Sequence, residues 1–325
     1  MEPPSSQFSA PTSTLNLTRQ LERYRQGRST ANVQIPYAVE ELEARARALM
    51  SPEHYDWVAG AAGNDDAARE NLAAFARWKI VPHMLANVDA RDYSVELFGR
   101  KHPYPVLIAP IGVQKAAHEE GEKATARAAS RTGLTYTHST VSTYSMEECV
   151  EAAPDVRRWF QLYWPAPRVL TESFLNRAEN ADYEALVVTL DTQLFGWRES
   201  NLQCAFLPFL KTDGIRNYLT DPVFRGMLEQ PPEENPEAAI EKYFEVYSDK
   251  SRTFADLAEL RELTNLPILL KGIQHPDDAR AALDADVDGL VVSNHGGRQV
   301  AGGIATSGKA RCADVSRDDV RHILA

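Results

Sequence analysis

The sequence predicts an α/β chain in which a helical segment leads into about six βα units of a (β/α)8 TIM barrel, an incomplete one. Three observations predict it. Short apolar runs recur at "YPVLIAP", "LTYTHS", "RRWFQLYW", "ALVVTLD", "LPILLKG" and "GLVVSNHG", with helix-compatible stretches such as "EGEKATARAASRTG" and "PDDARAALDAD" between them. Continuous rather than alternating apolar runs mark strands buried on both faces, and intervening helices make those strands parallel. The 325-residue length suits a barrel of about 250 residues with additions. No GxG occurs anywhere, which argues against an open dinucleotide-binding sheet.

The elements follow in chain order. Residues 1–30 open with "MEPPSSQFSAPTSTLNLT", rich in Ser, Thr and Pro, and are expected to be a disordered tail. Residues 31–325 are expected to form one domain. In "YAVEELEARARALM", Val39, Leu42, Ala46 and Leu49 share one helical face, and Ser51-Pro52 then supplies an N-cap and a first-turn proline for a second helix carrying "HYDWVAGAAG". "DDAARENLAAFARW" predicts a third helix. The barrel begins near residue 101, and residues 201–248, containing "FLPFL" and "EQPPEENPEA", form a long insertion of the kind that gates a barrel mouth. The tail, 304–325, is atypical; its "VSRDDVRHILA" places Val315, Val320, Ile323 and Leu324 at the spacing of a short helix. "GIATSGKA" approaches a phosphate-binding loop pattern, but Ala310 lacks the required hydroxyl and no apolar strand precedes it.

Composition narrows the function. Thirty-five basic against 46 acidic residues give a formal charge of −11, which disfavours nucleic acid and anionic membrane surfaces as partners. Cys149, Cys204 and Cys312 are odd in number and form no CxxC, so a disulfide framework or structural zinc is not expected, and a reducing, cytoplasmic compartment is. No window reaches transmembrane length and no secretory signal core is seen.

In a barrel of this kind functional residues stand where strands end at the C-terminal face. Here those ends carry Ala109-Pro110, Ser139-Thr140, Gln161 with Tyr163, Thr189 with Asp191, Lys271, and Ser293 with His295. Any one of these could simply begin a loop. Together they supply a base candidate, an acid partner, a cation and neutral hydrogen-bonding groups.

The motifs "SNHGGRQ", "FQLYW", "VTLDT", "ILLKG" and "APIGVQKAAHEEGEKATARAA" resemble the FMN-dependent α-hydroxy-acid oxidase and dehydrogenase family. "TLDTQLFGWR", "NYLTDPVF" and "LKGIQHPDDARAALDADVDG" are closer still to its lactate 2-monooxygenase members, and the resemblance runs from Tyr37 to Gly303. It implies oxidation of a small 2-hydroxy acid with FMN, molecular oxygen as acceptor, and a homo-oligomer, a tetramer or octamer. It implies that His295 is the base, that Asp191 stabilises its imidazolium, and that Tyr163 bonds the substrate hydroxyl or the product keto oxygen. Arg198 and Arg298 correspond to the arginines at the substrate carboxylate. Pro110, Ile111, Gly112, Ser139, Gln161, Thr189 and Ser293 correspond to positions around the flavin ring, and Lys271 to the cation at its N1/O2 edge.

Two departures are expected to matter. Trp57 stands where the family has a tyrosine that helps hold the carboxylate; an indole donates but cannot accept. Beyond Gly303 the family's seventh and eighth strand ends, which bind the FMN phosphate, have no counterpart, so weak flavin binding by this chain alone is expected. Three classes stay open on sequence: a flavin oxidoreductase, a remnant of the family that binds FMN poorly, and a redox-neutral FMN barrel.

Overall fold

A computed structural model of the protein describes residues 12–26, 35–87, 89–307 and 323–324. The first element corrects the expectation of a disordered tail, because Thr12–Gln26 is a helix, α1. Its later part, "LTRQLERYRQ", consists almost wholly of strong helix formers, and Arg23 and Arg25 sit in the last turn where the helix dipole favours cations. The Ser and Pro that dominate the composition precede it, in residues outside the described ones.

Helices α2 (Val39–Leu49), α3 (Pro52–Ala59) and α4 (Asp66–Arg77) follow as read from the sequence. Ser51 caps α3, its hydroxyl accepting from His54 N at 3.4 Å. The apolar face of α2 is where the spacing placed it, yet Val39, Leu42 and Leu49 are exposed. An antiparallel hairpin, β1 (Val95–Leu97) and β2 (Arg100–His102), comes next and was not expected from sequence.

Six parallel strands then pair in chain order: β3 (Leu107–Ile108), β4 (Thr135–Ser139), β5 (Arg158–Leu162), β6 (Leu186–Thr189), β7 (Ile268–Ile273) and β8 (Gly289–Val292). Helices α5 (Gly121–Thr132), α6 (Met146–Ala152) and α7 (Arg168–Asn180) connect the first four. After β6 the chain forms α8 (Glu199–Gln203), α9 (Arg216–Leu219), α10 (Pro222–Gly226), α11 (Pro236–Val246) and α12 (Leu257–Leu263) before reaching β7, and α13 (Pro276–Asp284) leads to β8. The architecture is a curled, incomplete (β/α)8 barrel.

Two expectations are revised here. The insertion at 201–248 is not an irregular loop: its short helices bury Phe209, Ile215, Tyr218, Phe224 and Tyr243 in the main core. These apolar residues come singly among prolines and polar residues, so no helical period is long enough to show in the sequence. At the tail, Ile323 and Leu324 are not helical but form β9, pairing parallel to Leu290 and Val291 of β8. The edge of β8 offers unpaired backbone groups, and two apolar residues satisfy them as a strand. The rest of the tail, with Val315, Val320 and the end of the loop-like "GIATSGKA", lies outside the described residues.

Strand periodicity positions the site. Phe160, Leu162, Leu186, Val188, Ile268, Leu270 and Leu290 face outward into the core shared with the helices. Trp159, Val187 and Leu269 face inward and pack with Leu97 and Phe98 of the β1–β2 turn, which plugs the lower end. The inward positions one step further along are Gln161, Thr189 and Lys271, so the upper end of the inner face is polar.

Candidate active site

The polar row is joined side chain to side chain. Ser139 Oγ donates to Gln161 Oε1 at 2.7 Å, and Gln161 Nε2 donates to Thr189 Oγ1 at 2.9 Å. Thr189 is in register with Lys271 across β6 and β7. All four are buried. Burial lowers the Lys271 pKa, with Asp191 opposing that shift.

His295 stands beside this row, one turn after β8. Its Nδ1 lies 2.8 Å from Asp191 Oδ1 and 3.3 Å from Lys271 Nζ. The shorter contact, to a carboxylate, assigns the hydrogen to Nδ1 as donor and leaves Nε2 as the proton-accepting nitrogen. Burial is the main cause of a lowered His295 pKa; the hydrogen bond to Asp191 works against it and the Lys271 charge works with it. Asp191 Oδ2 is buried without a hydrogen-bond partner among the described residues.

The backbone that delivers His295 is strained. His295 itself has φ +59°, and Gly296 and Gly297 follow at +66° and +77°. A left-handed non-glycine residue costs roughly 1–3 kcal/mol and persists only where its surroundings hold it. Ser293 Oγ accepts from His295 N at 3.0 Å, so the serine expected at the flavin is engaged with the turn. At Gly297 a Cβ would meet Ala68 N at 2.5 Å, which is why α4 can pack directly against the turn. Gly272 has φ +107°, and a Cβ there would press on Asp191 Cβ and Cγ at 2.9 Å, so it leaves room for the aspartate beside Lys271.

Arg198 and Arg298 flank Trp57, their guanidinium carbons 5.7 and 5.8 Å from its ring centroid. Trp57 is edge-on to Phe206 and Phe209 of the insertion. Burial lowers the pKa of both arginines, that of Arg298 to about 10 with Arg198 adding repulsion, so both remain charged near neutrality. Neither forms an ion pair among the described residues. The Tyr163 hydroxyl, whose pKa is raised by burial first and by Asp191 second, also feels both arginines.

Not every expected residue converges in the same way. Arg298 donates to the carbonyls of Trp57 at 2.8 Å, Val58 at 3.1 Å, and Gly60, clamping the end of α3. Pro110 to Gly112 lead away from β3 with Ile111 exposed, its carbonyl held by Gln114 Nε2 at 2.8 Å. Gln299 was missed by sequence reasoning: it donates to the carbonyls of Asp191 and Leu194, each at 2.9 Å, and accepts from Arg198 Nη2 at 2.8 Å. Its place at the end of "SNHGGRQ" was the available signal. A groove of about 520 Å³ lies at the opposite, N-terminal ends of the strands, where Arg100 and Arg157 both pair with Glu184.

A family model for FMN-dependent dehydrogenases matches residues 46–310. The chain belongs to the FMN-dependent dehydrogenase family. An L-lactate oxidase of Lysinibacillus sphaericus (strain C3-41) is 39% identical over 277 residues, covering 85% of this chain and 71% of that protein. 2-Hydroxyacid oxidase 1 of Homo sapiens is 35% identical over 272 residues, covering 82% and 71%. The crystal structure of a mandelate oxidase superposes with TM-score 0.71 at 32% identity, covering 83% of this chain and 72% of that one. The expected resemblance to the α-hydroxy-acid oxidases is borne out, and so is the barrel. No helix among the described residues of the chain is long and apolar enough to cross a membrane.

Proposed function

We propose that the chain binds FMN and oxidises a small, lactate-like 2-hydroxy acid to the 2-keto acid or its decarboxylated product, with molecular oxygen as electron acceptor. One observation carries the reading. Three buried or half-buried cations, Lys271, Arg198 and Arg298, stand at this end of the barrel, the first two acting on His295, and none forms a direct ion pair among the described residues. Unneutralised buried charge is costly unless a ligand completes it. The donor set fits FMN on the ring side: Ser139, Gln161, Thr189 and Ser293 are small or neutral, and among the described residues the Lys271 ammonium is within hydrogen-bond distance only of a histidine nitrogen already bonded to Asp191. These residues, with the backbone of Pro110, Ile111 and Gly112, would hold the ring. Bound FMN supplies a two-electron acceptor.

The protein's own groups do the rest. Arg198 and Arg298 bind the substrate carboxylate between them, and the Trp57 indole N–H adds a donor without an acceptor. Tyr163 donates to the substrate oxygen. His295 Nε2 takes a proton from the substrate, and the Asp191 carboxylate 2.8 Å from Nδ1 stabilises the imidazolium that forms.

The base must be neutral to act, and the His295 pKa lies below the ordinary 6.5. The acid limb of the kcat/KM profile is therefore expected to be centred below pH 6.5, activity falling as the pH drops through the lowered His295 pKa. A limb centred at or above the ordinary imidazole value contradicts the assignment. Replacing Arg198 with lysine keeps a charge but breaks the fork that bonds Arg298 O and Gln299 Oε1. Loss of one charge-assisted contact of about 1.5–3 kcal/mol weakens hydroxy-acid binding roughly 10- to 150-fold, and the methyl ester much less. Equal losses for acid and ester count against a carboxylate role.

A further inference from the structure

The strained turn at His295 needs a brace, and α4 supplies one. Asn71 on α4 and Asn294, the residue before His295, form a reciprocal amide pair: Asn71 Nδ2 donates to Asn294 Oδ1 at 3.0 Å, and Asn294 Nδ2 donates to Asn71 Oδ1 at 2.8 Å. Asn294 Oδ1 also accepts from Gly297 N at 3.1 Å, closing the turn over Gly296. The second lone pair of Asn71 Oδ1 receives Thr306 N at 3.3 Å, while Asn294 Nδ2 reaches Ile304 O at 3.0 Å. Asn294 is buried, so its amide must find partners within the protein. The same helix meets Gly297 with no space for a side chain.

We propose that Asn71 is a positioning residue for His295, fixing through Asn294 the left-handed turn that presents the imidazole to Asp191 and to the substrate. The inference rests on reading His295 as the base. Asn71 touches neither the imidazole nor any cation of the site; it acts on the turn. Without it Asn294 loses a donor and an acceptor, three successive left-handed residues lose a fixed support, and the imidazole can relax away from Asp191 towards solvent. The charged groups acting on His295 are Asp191, Lys271 and Arg198, and none of them is altered by a change at Asn71.

The test substitutes Asn71 in the full chain and reads the His295 imidazole directly. Asn71→Leu keeps the branched shape and the number of heavy atoms and removes all three hydrogen bonds. Asn71→Asp keeps the acceptor for Asn294 Nδ2 and Thr306 N but sets a carboxylate oxygen against Asn294 Oδ1, where Asn71 donated at 3.0 Å. The His295 resonance, assigned by its disappearance in His295→Gln, is titrated by NMR without turnover. In Asn71→Leu its midpoint is expected to rise towards about 6.5, and kcat for L-lactate to fall at least about tenfold with KM nearly unchanged. In Asn71→Asp, which keeps two of the three bonds, kcat is expected to fall less than in Asn71→Leu. A midpoint and kcat unchanged in Asn71→Leu overturn the proposal. If Asn71→Leu does not fold, Asn71→Ser, too short to span both partners, carries the same expectation; unfolding of both overturns it in favour of a purely structural role. If His295→Gln keeps full activity, the base reading fails by itself, while the titration shift still decides whether Asn71 holds the imidazole.

Discussion

Replacing His295 with glutamine is expected to cut turnover of a 2-hydroxy acid on the order of 10²- to 10⁴-fold while leaving FMN affinity within about threefold of the parent. Glutamine retains an N–H that Asp191 Oδ1 can accept, so the 2.8 Å contact and the turn around it are largely preserved. The amide cannot take a proton, which removes the chemical role and little else. His295 lies beside the polar row of strand ends and does not belong to it, so flavin binding has no reason to collapse with it. Steady-state kinetics with L-lactate and a fluorescence titration of FMN read the two quantities separately. A variant as fast as the parent removes His295 from the chemistry.

Lys271→Met is the second large effect. The lysine is buried at the end of β7, in register with Thr189, and its pKa is lowered because its charge has been taken out of water. Methionine fills similar space without the charge. If the ammonium completes its hydrogen bonding on the flavin ring, its loss removes a charge-assisted bond of about 1.5–3 kcal/mol, and FMN binds roughly 10- to 150-fold more weakly. The apoprotein is expected to be no less stable, since removing an unpaired buried charge costs little and can stabilise the fold. Fluorescence quenching of FMN on binding and a thermal melt of the apoprotein measure the pair of effects. Unchanged affinity together with a lower melting temperature would make Lys271 a structural cation instead.

The barrel strands were legible because strands buried on both faces are continuous apolar runs, and each run read from the sequence contains one strand. The β1–β2 hairpin was not, since each strand has three residues and its inward members, Leu97 and His102, alternate with charged ones. Helix α1 was hidden by averaging a Pro/Ser-rich start with a Leu/Arg/Glu-rich continuation. In the site, the residues on strand ends were legible because strand position fixes which side chains face inward. What supports them was not. Arg298 clamps backbone carbonyls, which have no side-chain signature, and Asn71 meets Asn294 across 223 residues of sequence. Gln299 sat inside a motif read for its histidine and arginine, and its two carbonyl partners gave no sign of themselves.

In the proposed reaction the polar end of this barrel removes electrons from a 2-hydroxy acid with His295 as base. The most direct measurement is anaerobic mixing of the FMN-loaded chain with L-lactate or glycolate, following the flavin absorbance in a single turnover. The parent flavin is expected to bleach, with no added reductant, at a rate on the order of 10²- to 10⁴-fold above that of His295→Gln. Flavin that stays oxidised with every small 2-hydroxy acid offered, yet bleaches with dithionite, would contradict it.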